Sequence, residues 1–66
     1  MNVFKLREKI IEEEMNIDEL SKIIGIPSED LYNKLKAPLN MTIGDAIKIK
    51  DVLGLTDKEA LDIFLA

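Results

Sequence analysis

Apolar positions in this chain recur three and four residues apart, the spacing of one helix face rather than the alternation of a strand. Val3, Leu6 and Ile10, with Phe4 and Ile11 beside them, predict a first helix over 3–14. Its apolar stripe faces a core, while Lys5, Glu8, Lys9, Glu12 and Glu13 face water. A second start follows Met15, where Asn16 has Glu19 three positions on, so that each side chain can satisfy the other's backbone N–H. This helix ends near Ile24: Gly25 suits a left-handed C-terminal position, and Pro27 cannot continue it. A third helix is expected over 28–36 with Leu31 and Leu35 inward, stopped at Ala37-Pro38 because proline disfavours helix in the residue before it. Thr42-Ile43-Gly44-Asp45 opens a fourth, with Ala46, Ile47, Ile49, Val52 and Leu53 buried and Gly54 closing it. Thr56 and Glu59 form a further capping box and start a last helix over 57–65, apolar around most of its circumference. The pattern is all-α, a compact bundle of five short helices with no sheet and no internal repeat.

Composition narrows what such a bundle can do. With 66 residues, 47% hydrophobic and 33% charged, positions 1–66 are expected to form a single domain. A chain of this size buries only about 60% of the surface its unfolded form exposes, so helix packing, helped by a partner, has to supply the core. There is no cysteine and no histidine. That removes disulfides, thiolate or imidazole metal sites, histidine switches and the usual nucleophile pairs, so no enzyme, no cofactor and no metal is expected. Glu12-Glu13-Glu14 is read as a solvated face, since adjacent helical positions point in different directions. The longest apolar runs fall far short of the ~20 residues that span a bilayer, and no signal-peptide core is visible at the start. No membrane contact and a cytoplasmic location are the expectation.

The stretch 16–36 carries the functional information: a capped short helix, a turn built on Gly25 and a second short helix. Small Ser21 lies where two helices crossing steeply must approach closely, and Leu20, Ile24, Ile26, Leu31 and Leu35 can lock one helix across the other. This is the helix-turn-helix arrangement, which leaves the N-terminal end and outer face of the second helix to enter a major groove.

Four segments carry a family resemblance: Leu6-Arg7-Glu8-Lys9-Ile10-Ile11, the run from Asp18 to Ile26, Leu31 to Leu35, and Ala46-Ile47-Lys48-Ile49 with Val52-Leu53-Gly54-Leu55. Together they resemble the Cro/CI-type (Xre-like) helix-turn-helix regulators over nearly the whole chain. The ending Lys58-Glu59-Ala60-Leu61-Asp62-Ile63-Phe64 is similar to small phage-encoded members. The resemblance implies a lambda-repressor-like DNA-binding domain that regulates transcription from a double-stranded operator. It implies that Ser28, Glu29, Tyr32 and Asn33 face bases, with Lys34, Lys36, Asn40 and Thr42 near phosphates. Asn33 can pair with adenine N6 and N7, and Glu29 can accept from cytosine N4. Phosphate contacts would fix register while base contacts set sequence.

Several positions leave more than one role open. Asp30 is read first as an acid stabilising the start of its helix, worth about 0.3 to 1 kcal/mol; for Glu29 that role and base reading stand side by side. Tyr32 can stack, touch a phosphate or cover Leu35, and Arg7 is expected to pair with an acid of the first two helices. The chain departs from the family pattern at Ile17, where glutamine is usual, at acidic Glu29-Asp30, and at Lys36-Ala37, where Asn-Gly often follows. Net charge is -4, with the middle third, 22–42, the least acidic. These departures motivate a second reading, a helix-turn-helix scaffold that binds another regulatory protein in the manner of an antirepressor. The apolar last helix leaves two roles open: its residues can cap the core of their own chain, or, the preferred reading, join a homodimer through Leu61, Ile63, Phe64 and Leu65. Such a dimer would set two recognition helices about 34 Å apart, one turn of DNA.

Overall fold

In a computed structural model describing residues 1–37 and 40–65, the chain is all-helical, and no strand occurs among the described residues. Five helices follow one another: α1 (Val3–Glu12), α2 (Ile17–Ile24), α3 (Ser28–Lys36), α4 (Ile43–Leu53) and α5 (Asp57–Phe64). Local chemistry explains most of the boundaries. Asn16/Glu19, Thr42/Asp45 and Thr56/Glu59 each form a reciprocal capping box, satisfying N–H groups that would otherwise be orphaned. Asn2 caps α1 by accepting from the Lys5 N–H, a start that the hydrophobic pattern alone does not reveal. α3 begins after Pro27 without a side-chain cap.

Three helices end with one device. The residue after the turn donates its N–H five residues back: Met15 to Ile10 O, Ile26 to Ser21 O and Leu55 to Lys50 O, each at 3.0 Å. The residue before each donor is left-handed, namely Glu14 (φ 57°), Gly25 (φ 76°) and Gly54 (φ 63°). Each donor side chain then turns back onto the core. This device ends α1 two residues earlier than the expected Glu14, because a glutamate occupies the position where glycine marks the other two ends. Ala37 leaves helical geometry at φ -125°, ψ 82°, as a residue before proline should. Pro38 itself, part of the expected stop, lies outside the described residues, as do Leu39 and Ala66.

The helices share a core of Leu6, Ile10, Leu20, Ile24, Leu31, Leu35, Ile49, Leu53, Leu55 and Ile63. α2 packs on both α3 and α4, and α1 packs on α5. The Asn2 N–H donates to Ile63 O at 2.6 Å, pinning the start of α1 to α5. The radius of gyration, 10.5 Å, matches the roughly 11 Å of one folded domain of this length.

Three apolar residues expected on buried faces, Phe4, Ile11 and Ile47, point outward instead. Phe4 and Ile11 are 75% and 72% exposed. At 100° per residue they lie about a third of a turn from the Leu6–Ile10 axis, and form a second ridge with each other. Ile47 lies on the side of α4 opposite Ile49 and is exposed together with Ile43, one turn earlier. Leu61 is exposed on α5 for the same reason. Lys9, expected in water, is half-buried between Glu12 (3.2 Å) and Glu59 (2.7 Å). Arg7, expected to pair with an acid, forms no ion pair among the described residues.

Candidate nucleic-acid interface

α3 owes its orientation to three anchors. Leu31 and Leu35 are buried one turn apart, so the helix cannot roll. Ser21 of α2 is 2% exposed at the crossing, where its Oγ donates to Asp18 O at 2.7 Å and meets Ser28 Oγ at 2.9 Å. A larger side chain would push the two helices apart, so the small residue expected at this close approach is where the packing requires it. The left-handed Gly25 then turns the chain between the helices. A β-carbon added there would meet open space, so its conformation and not crowding calls for glycine.

With the helix fixed, its remaining positions divide by angle. Glu29, Asn33 and Lys36, at i, i+4 and i+7, are all exposed on the side away from Leu31 and Leu35. Asp30 is exposed beside them. Ser28 and Tyr32 occupy one flank. Ser28 is half-buried and engaged by Ser21, so its hydroxyl is not free for a base. Tyr32 lines a mostly apolar groove with Arg7, Ile10, Ile11, Met15 and Ile17. Leu35, the residue Tyr32 would cover in one of the three roles open to it, does not line this groove, and Tyr32 is 41% exposed.

Lys34 occupies the opposite flank, toward α4. Its Nζ lies 2.6 Å from Asp45 Oδ2, with the two side chains only 23% and 11% exposed. The Thr42 N–H donates to the same oxygen at 3.1 Å, and Thr42 Oγ1 accepts from the Asp45 N–H at 3.0 Å. Lys34 and these hydrogen bonds hold the Asp45 carboxyl below the usual carboxylate range, against the opposing effect of its burial. Lys34, expected at a phosphate, is thus already spent on a carboxylate; Thr42 is exposed, with its side chain serving the cap. Asn40 is exposed in the α3–α4 connection, and its N–H donates to Ala37 O. Lys36 is exposed with no ion pair among the described residues.

Of the four residues assigned to an interface between copies, Ile63 lies in the core at 2% exposure and Phe64 packs half-buried against it. Leu61 and Leu65 are exposed, one turn apart on the outer face of α5. No group of three or more acidic side chains among the described residues could hold a metal ion, and no helix there is long and apolar enough to cross a membrane. Asp45 is the participant that sequence reasoning missed. The Thr42-x-x-Asp45 box places its carboxylate, but the bridge to a lysine on the preceding helix depends on the packing of α3 against the start of α4. The chain matches no family model, no curated protein and no solved structure, so the functional reading rests on this geometry and on the sequence.

Proposed function

We propose that the protein is a sequence-specific DNA-binding regulator of transcription, with α2 and α3 as its helix-turn-helix and α3 seated in the major groove. The observation that carries this is the division of α3: Leu31 and Leu35 are locked inward while Glu29, Asn33 and Lys36 project together from the opposite face. Such a short, firmly anchored helix with a polar outer edge is what base reading needs. Asn33 pairs with an adenine edge, Glu29 accepts from a cytosine amine, and Lys36 neutralises a phosphate. A two-fold dimer joined through Leu61 and Leu65 of α5 presents two such helices to a palindromic operator. Regulation then follows from occupying a promoter, in the manner of small phage repressors, with no chemical step.

Selection from a random double-stranded DNA pool at low salt tests this. The expected result is a recovered two-fold symmetric site whose affinity falls steeply with salt. A specific observation favours a second reading, binding to another regulatory protein: the Phe4–Ile11 and Ile43–Ile47 ridges are apolar and exposed on a chain of net charge -4. A pool that shows no enrichment at any salt concentration would move the assignment from DNA to this reading.

A further inference from the structure

We propose that Asp45 is an affinity-determining residue of the α3 surface, its carboxylate standing in for a DNA phosphate and keeping Lys34 out of the interface. This rests on the DNA-binding reading above. The carboxylate is held independently of Lys34: it is the N3 member of the box that starts α4, with Thr42 N–H on Oδ2 and Thr42 Oγ1 on its own N–H. A fixed anion therefore faces the lysine, largely out of water, at 2.6 Å. A phosphate oxygen arriving there would exchange one charge-assisted contact for another of the same kind. It would also have to leave a buried carboxylate without its cation, which is costly. Lys34 therefore contributes little to phosphate neutralisation, whereas Lys36, two residues further and exposed, contributes fully. The three lysines of segment 22–42 overstate the cations that DNA can use.

The test compares the natural protein with Asp45→Asn, Lys34→Met and the double variant, titrating a labelled random-sequence duplex across a range of salt. An asparagine oxygen can still accept from the Thr42 N–H, so the cap survives while the charge is lost. Asp51→Asn, at an exposed position of the same helix, makes the same change in net charge and serves as control. Release of Lys34 should make the log–log salt slope of Asp45→Asn steeper by about 0.9 per bound subunit, about a 3.5-fold larger affinity loss per subunit for each fourfold rise in salt, and the double variant should reverse this. Asp51→Asn should leave the slope unchanged, and Lys34→Met alone should alter it by much less than one phosphate. A protein that binds only as Asp45→Asn would also bear out the masking.

The proposal is overturned if Asp45→Asn steepens the slope no more than Asp51→Asn does. It is equally overturned if Lys34→Met alone flattens the natural slope by about 0.9 per bound subunit, a result that stands even if Asp45→Asn fails to fold. In both cases DNA binding itself survives. If no variant binds DNA at low salt, including the one with Lys34 released, masking and the DNA-binding reading fall together.

Discussion

Glu14 holds the left-handed position that Gly25 and Gly54 hold at the ends of α2 and α4, with the same five-residue return hydrogen bond beside it. A residue with a β-carbon is strained there by about 1 to 2 kcal/mol relative to an allowed conformation, whereas glycine is not. Glu14→Gly should therefore stabilise the fold by up to about 1 kcal/mol in chemical denaturation, part of the relief being offset by the freer unfolded chain. A destabilised variant would mean that the glutamate makes a compensating contact. On the outer face of α3 the roles are separable. Lys36→Ala should weaken binding to all duplexes alike and reduce the salt slope by about 0.9 per bound subunit, while Asn33→Ala should cost about 1 to 3 kcal/mol at one base pair of each half-site and relax preference there. Competition titrations with a selected duplex and its single-base variants check both. Residues governed by their neighbours in the chain were legible in this way: Asn16, Thr42 and Thr56 announce their caps, and Gly25 and Gly54 their turns. The end of α1 was not, because its turn uses a residue type that carries no such mark.

Between elements, the clasp of α1 and α5 shows what local pattern leaves out. Lys9 bridges Glu12 on its own helix and Glu59 on α5, and Glu59 also accepts from Thr56 N–H as part of its capping box. Lys9, followed by the Thr56 backbone, holds the Glu59 carboxyl at about 2, against an ordinary 4.5. A depressed acid contributes stability that is complete above its unfolded value and is lost as pH falls through the folded one. This share should accordingly fade from about 4.5 down to about 2. Asp45, depressed by Lys34, adds in the same direction. The raised Lys9 keeps its contribution below 10.5 and loses it only at higher pH. Glu59→Gln should therefore be less stable than the natural protein at neutral pH and show a shallower decline in acid, measured as melting temperature against pH. Parallel acid limbs would contradict the clasp. The extents and buried faces of α2 and α3 were readable from spacing and caps; the half-buried Lys9 was not, since its environment depends on which helix comes to lie beside α1.

At the scale of the whole molecule, eight large apolar side chains are exposed among the described residues. On α5 the sequence pattern marked Leu61, Ile63, Phe64 and Leu65 alike, because a helix with apolar residues on every side gives periodicity nothing to discriminate; tertiary packing turns Ile63 inward and leaves Leu61 and Leu65 out. On the proposed dimer, replacing Leu61 and Leu65 together by lysine should lower the mass in sedimentation equilibrium from dimer to monomer without loss of helical signal. Ile63→Ala should instead cost about 2 to 5 kcal/mol of folding stability. An unchanged mass in the lysine variant would remove α5 as the dimer contact. If the outer face of α3 meets DNA as proposed, amide chemical-shift mapping with a selected duplex should give its largest changes at Glu29, Asn33 and Lys36 and at the turn at Gly25. Changes confined to the Phe4–Ile11 or Ile43–Ile47 ridges, with α3 unmoved, would contradict the proposal.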